Sequence, residues 1–217
     1  MPYKAVLFDL DGTLLDTIQD IAESMNAVLR QYHFPVHTIA AYKNFVGDGM
    51  EILVRRVLPE GGRDPGTVAS CLSAMRKEYG LNWRKHSRPY GGVPELLDAL
   101  VARDIKLAVL SNKPDDFTKI MVADLLPRWP FYPVLGARSS VPHKPDPTGA
   151  LEVAGQLSLP PGQFLYLGDT GIDMRTANAA GMYPVGVLWG FRSAEELKVN
   201  GAETVIAKPE EVLAILS

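Results

Sequence analysis

Val6-Leu7-Phe8-Asp9-Leu10-Asp11-Gly12-Thr13 is the stretch that decides the fold. Its short apolar run reads as a buried strand. The run ends abruptly in two carboxylates two positions apart, then a glycine and a hydroxyl. In an α/β sheet the carboxyl ends of strands are where ligands bind. Two neighbouring carboxylates repel each other, so the pair is costly unless something positive is held there. A hard divalent cation with oxygen ligands fits that need, and so does a phosphate bridged to the protein by the cation. An EF-hand reading fails on spacing. Thr13 and Leu14 stand at the fifth and sixth loop positions and Asp20 at the twelfth, where a calcium loop needs an oxygen ligand, a glycine and a glutamate.

Three later segments repeat the pattern. Leu107-Ala108-Val109-Leu110-Ser111-Asn112-Lys113-Pro114 is a second apolar run ending in a hydroxyl. His143-Lys144-Pro145-Asp146-Pro147 pins a lysine before prolines. Phe164-Leu165-Tyr166-Leu167-Gly168-Asp169-Thr170-Gly171-Ile172-Asp173 is a third run ending in a carboxylate, with a second carboxylate one helical turn on. With these four motifs in order, the chain resembles the haloacid dehalogenase-like hydrolase superfamily, and within it the phosphoglycolate phosphatase group.

Around these motifs the chain reads as two blocks. Residues 4–10 are the first strand. Residues 17–33 place apolar side chains at helical spacing, and 50–58 and 66–85 read as further helices, separated by the breaker cluster at 59–66. No convincing strand is expected between about residue 16 and residue 86. From residue 88 on, helices (93–103, 115–125, about 147–157, 173–180, and one from Pro209) alternate with strands (105–111, 132–136, 163–168, 184–188, and near 204–206). Such alternation implies right-handed crossovers and a parallel sheet. The expected architecture is α/β: a Rossmann-like parallel core formed by residues 1–15 and 87–217, with a small helical cap, residues 16–86, inserted after the first strand. The superfamily resemblance implies the same division, and a cap of this kind is expected to close over the site.

Composition excludes several classes. Of the 217 residues, 47% are hydrophobic, enough for a sizeable core, and the net charge of −3 with no basic run leaves no nucleic-acid footprint. No segment approaches the ~20 apolar residues of a membrane span. Asp9 and Asp11 interrupt any signal-like apolar stretch at the N-terminus. Cys71 is the only cysteine, so no internal disulfide is possible, and it reads as a small packed residue. These features fit a cytoplasmic enzyme without nucleic-acid or membrane partners, and the resemblance implies that it acts on a small phosphorylated metabolite, as a monomer or homodimer.

The resemblance assigns roles residue by residue. Asp9 is the expected nucleophile, attacking phosphorus to give an aspartyl-phosphate. Asp11 is the expected acid to the leaving oxygen and base for the attacking water, with its backbone carbonyl on the metal. Lys144 is the fixed cation, a compact point charge suited to a phosphoryl group and the nucleophile; the other reading is a solvated surface lysine. Ser111, the backbone N–H of Asn112, and Thr13 form the expected phosphate-binding set, although Ser111 also suits a helix N-cap. Asp9, Asp11, Asp169 and Asp173 are the expected magnesium site. For Asp173 the resemblance leaves open metal binding through water or pairing with the lysine, and a plain helix-start charge is a third reading. Gly47-Asp48-Gly49 and the following helix resemble a phosphoglycolate-type cap, in which Arg55 or Arg56 could meet a substrate carboxylate. The bland alternative for each arginine is a solvated helix face. Trp189-Gly190-Phe191 resembles a phosphatase-group turn and reads as structural.

The resulting expectation is a magnesium-dependent phosphomonoesterase, with 2-phosphoglycolate as the first substrate. Pyrophosphatase, nucleotidase and sugar-phosphate phosphatase or mutase activities are the alternatives within the superfamily, and Thr13 follows the phosphatase rather than the mutase form. A non-catalytic binding protein on the same fold is the alternative outside it; such a protein would be expected to have lost a motif carboxylate or the lysine, and this chain keeps them all.

Overall fold

The computed structural model describes residues 3–216. In chain order, β1 (Ala5–Phe8) and β2 (Leu15–Asp16) precede helices α1 (Ile18–Gln31), α2 (Ile39–Phe45), α3 (Met50–Val57) and α4 (Pro65–Asn82). Then come β3 (Arg88–Pro89), α5 (Val93–Val101), β4 (Lys106–Pro114), α6 (Asp115–Leu125), β5 (Phe131–Ala137) and α7 (Thr148–Leu157). β6 (Phe164–Gly168), α8 (Gly171–Ala180), β7 (Tyr183–Val187), α9 (Ala194–Val199), β8 (Thr204–Ile206) and α10 (Val212–Ile215) complete the chain. It divides into two compact units, Met1–Leu15 with Pro89–Ser217, and Asp16–Arg88.

The first unit is built on a six-stranded sheet of order β5-β4-β1-β6-β7-β8, in which every pairing is parallel. All four residues of β1 are buried. Burial on both faces is why the sequence shows an unbroken apolar run there and not an alternating one. Ala5, Leu7, Ala108, Leu110, Phe164 and Tyr166 line one face and pack with Val153 and Ala154 of α7 and Ala177 of α8. The order reverses around β1: the chain moves outward through β4 and β5, then returns to β6 on the other side of β1. In open parallel sheets this switch point leaves a crevice at the carboxyl ends of the strands.

The second unit is all-helical, apart from the residues of β2 and β3 at its ends. α1 packs against α4 and α2, and α3 against α4. Asp20, in the first turn of α1, is buried and accepts bonds from the backbone N–H groups of His86 (2.9 Å) and Ser87 (2.8 Å) and from Ser87 Oγ (2.7 Å). It ties the start of the unit to its end. Asn26 is a second polar junction, taking the Tyr42 hydroxyl at 2.8 Å and exchanging two bonds with the His37 backbone. Among the described residues no helix is long and apolar enough to cross a membrane.

Three local features depart from the sequence expectation. Helix α2 is capped by Thr38 and buries only Tyr42, and α9 is capped by Ser193 and buries only Leu197. One buried residue leaves no periodicity to read. Strand β4 runs on through Ser111-Asn112-Lys113 to Pro114, and α6 starts at Asp115. Ser111 is therefore a strand residue, which removes its reading as a helix cap.

Candidate active site

The sheet order brings three of the four motifs to adjacent strand ends. Asp9 follows β1, Ser111 to Lys113 form the end of β4, and Asp169 follows β6, with β4 and β6 flanking β1. Lys144 comes from the segment between β5 and α7. Its Nζ lies 2.9 Å from Asp9 Oδ1, 2.7 Å from Asp173 Oδ1 and 3.2 Å from the Leu110 carbonyl. An ammonium has three N–H donors, and all three are used here. The residue is buried, which excludes the solvated-lysine reading.

Lys144 is itself held by Asn112. The Asn112 side-chain amide donates to the Lys144 carbonyl (3.1 Å), and its Oδ1 accepts from the Lys144 N–H (2.9 Å). The Asn112 side chain thus positions the lysine loop, a task that its sequence position did not suggest. Ser111 Oγ accepts from the Lys113 N–H at 3.3 Å, and Thr13 Oγ1 is buried without a hydrogen-bond partner.

Asp9, Asp169 and Asp173 are buried and bring carboxylate oxygens within 4.8 Å of one another. The Asp173 carboxylate has a partner on each oxygen. Oδ1 meets Lys144, and Oδ2 accepts from the Thr170 N–H (3.1 Å) and hydroxyl (2.6 Å) in a capping box at the start of α8. Both the lysine-pairing and the helix-start readings of Asp173 are therefore realised in one side chain. Asp169 differs: Oδ2 accepts from the Phe191 N–H at 2.8 Å, while Oδ1 is buried without a partner. An orphaned buried carboxylate oxygen is costly.

The electrostatics show the same excess of negative charge. Three buried carboxylates lie beside one buried ammonium, which bonds only Asp9 and Asp173 among them. Burial pushes the Asp9 carboxyl up to about 7, against the pull of Lys144 and with a further push from Asp173. Burial, then Asp173 and Asp9, hold the Asp169 carboxyl well above the usual range. Burial alone would lower the Lys144 ammonium, but Asp173 and Asp9 overcome it and keep the group well above its ordinary value. A dication supplying two positive charges would balance the cluster, and oxygen-only donors with an open Asp169 oxygen suit magnesium.

The Asp11 carboxylate stands outside this cluster. Lys113 Nζ grips both of its oxygens, at 2.9 and 2.8 Å. Sequence reasoning assigned Lys113 no role, because a lysine after two polar residues ordinarily reads as solvated. Arg55 and Arg56 belong to the helical unit. Arg55 pairs with the exposed Glu51 one turn away (2.9 Å), while Arg56 is engaged by Asp48 (2.6 Å) and the Phe45 carbonyl (3.0 Å).

The Trp189-Gly190-Phe191 turn bonds to two of the motif segments. Trp189 Nε1 donates to the Thr13 carbonyl at 2.9 Å, and Phe191 orients Asp169. A Cβ on Gly190 would lie 2.3 Å from Asp169 Cβ and 2.4 Å from the Gly12 carbonyl oxygen. Gly12 itself has φ of +89°, and a Cβ there would fall 2.3 Å from Asp169 Oδ2. Gly190→Ala should therefore destabilise the protein by about 1–3 kcal/mol through overpacking, read as a lower urea midpoint; an unchanged midpoint would show that the turn can move away from Asp169.

Residues 6–187 match the family model described as haloacid dehalogenase-like hydrolase. A phosphoglycolate phosphatase of Thiobacillus denitrificans is 30% identical over 96% of this chain and 94% of its own length. One of Nitrosospira multiformis is 30% identical over 100% and 96%. Among solved structures, a Lactobacillus delbrueckii protein provisionally assigned as a phosphoglycolate phosphatase superposes with a TM-score of 0.93 at 30% identity, covering 100% of this chain and 99% of that one. The chain belongs to the haloacid dehalogenase-like hydrolase family, in its phosphoglycolate phosphatase-like group, and is an enzyme of the phosphatase kind.

Proposed function

We propose that this phosphatase is a magnesium-dependent phosphomonoesterase of a small phosphorylated metabolite, with 2-phosphoglycolate the first candidate, and that it works through an aspartyl-phosphate on Asp9. The observation that carries the reading is the buried Asp9–Lys144–Asp173 chain beside the open Asp169 oxygen, at the switch point of the sheet. Asp9 attacks phosphorus, and the bond from phosphorus to the ester oxygen breaks as the new one forms. Asp11 gives a proton to the departing oxygen, then takes one from the water that cleaves the aspartyl-phosphate and restores Asp9. Lys144 holds Asp9 in place and offsets charge on the transferring group. Asp9 and Asp169, with the Asp11 carbonyl, would hold the magnesium ion, and Asp173 supports the site from behind through Lys144. When bound, the ion neutralises phosphoryl charge and helps align the phosphorus with the nucleophile. The lone, buried Cys71 supports a reducing, cytoplasmic setting.

Chelation should remove turnover and magnesium should restore it, while calcium, with its larger and looser shell, should inhibit. Full activity in chelated, metal-free protein would exclude the metal assignment. Phosphate release measured over a panel of metabolites tests the substrate, and faster turnover of pyrophosphate or a sugar phosphate would displace 2-phosphoglycolate. Of the two cap arginines, Arg55 is the better reader of a substrate carboxylate, because its partner Glu51 is an exposed side chain, whereas Arg56 is committed to Asp48 and the Phe45 carbonyl. Arg55→Met should lower kcat/KM for 2-phosphoglycolate about tenfold to a hundredfold, the cost of one charge-assisted hydrogen bond. It should leave p-nitrophenyl phosphate nearly unaffected. Equal losses on both substrates would assign the arginine a structural role.

A further inference from the structure

Lys113 and Lys144 are the only buried lysines or arginines among the described residues. Lys144 has spent its three donors on Asp9, Asp173 and Leu110. Lys113 lies on a different strand end and makes a two-point contact with Asp11, at 2.9 and 2.8 Å, with side-chain exposures of 5% for the lysine and 18% for the aspartate. A lysine stem can usually carry its head out to water. Burying the head instead on one carboxylate is a specific and costly placement. Where β4 passes through Ser111-Asn112-Lys113, its register with β5 is irregular between Leu110 and Pro114; such irregularities re-aim side chains. Contact with both oxygens fixes the plane of the Asp11 carboxyl as well as its position.

We propose that Lys113 is a positioning residue for Asp11: its ammonium sets where the carboxyl stands when a substrate's leaving oxygen arrives, and receives it again after each proton transfer. The proposal rests on the reading of Asp11 as the proton-transfer group. Its consequence is selective. A leaving oxygen that needs a proton feels the loss of Lys113, and one that departs easily feels it much less.

The test uses the magnesium-saturated enzyme and a series of aryl phosphates whose phenols range from acidic to weakly acidic. Asp11→Asn should lower kcat about a hundredfold for the least acidic phenol, within the range of general acid–base effects, and by less for p-nitrophenol. Lys113→Met should follow the same trend with about a tenfold loss at the least acidic end. In the Asp11→Asn background it should cost almost nothing further, because a residue acting through Asp11 has nothing left to position. A uniform loss along the series, additive with Asp11→Asn, overturns the proposal and leaves Lys113 as a structural ion pair. A graded series for Asp11→Asn beside a flat one for Lys113→Met overturns the proposal alone. A flat series for Asp11→Asn overturns the reading of Asp11, and the proposal with it. Should Lys113→Met not fold, Lys113→Arg keeps the charge but alters the grip: a steeper leaving-group dependence supports the proposal, and an unchanged one refutes it.

Discussion

Asp9→Asn is expected to fold normally and to be inert. The amide has the size of the carboxylate, its Oδ1 can still accept from Lys144 Nζ, and the backbone N–H of residue 9 still donates to the Leu167 carbonyl at 2.9 Å. An amide oxygen cannot form the acyl phosphate, so kcat should fall by about 10⁴-fold or more, the scale on which loss of a nucleophile acts. Phosphate release on a preparation shown by mass spectrometry to be free of deamidated protein gives the answer, and wild-type turnover there would remove the covalent step. The same variant has a signature in stability. Asp9 is raised from 3.8 to about 7 in the folded protein, chiefly by burial. Between those values the folded state keeps a proton that the unfolded state has released, so this group's contribution to stability falls as pH rises from about 4 to about 7. In metal-free protein, Asp9→Asn should remove that part of the fall, visible as a flatter dependence of Tm on pH.

Lys144→Met is expected to damage both stability and turnover. The lysine is the one ammonium bonded to Asp9 and Asp173, and its head also satisfies the Leu110 carbonyl. Methionine fills much of the stem's volume but leaves two buried carboxylates uncompensated. Removing one partner of a buried ion pair costs about 3–5 kcal/mol, which should appear as a clear fall in the urea midpoint. Added magnesium should recover more stability in this variant than in the wild type, since a ligand that binds only the folded state stabilises it and here it meets a larger excess of negative charge. A midpoint equal to that of the wild type would mean that Lys144 is not the counterion of the cluster.

The sequence by itself determined the parallel sheet and the run of helices after its first strand, and it offered Asp9, Asp11, Lys144, Asp169 and Asp173 as one candidate set, of which the structure clusters all but the Asp11 carboxylate. The sheet and the helices follow from local signals, unbroken apolar runs or apolar positions repeating at 3.6 residues, whereas the joint role of the five residues follows from the family resemblance of the four motifs. The signal fails where an element is short. Helices α2 and α9 each bury one side chain and so carry no period. It also fails where the partner is distant in the chain. That Asn112 holds the Lys144 main chain across 32 positions, that Lys113 grips Asp11 across 102, and that Trp189 fastens the Thr13 carbonyl across 176 depends on which strand ends become neighbours. Only the tertiary structure decided that, through the order β5-β4-β1-β6-β7. Burial then turned an ordinary-looking lysine into a specific counterion and left one oxygen of Asp169 open while closing the other. Those outcomes come from desolvation and from contacts across the sheet, and no window of neighbouring residues contains them.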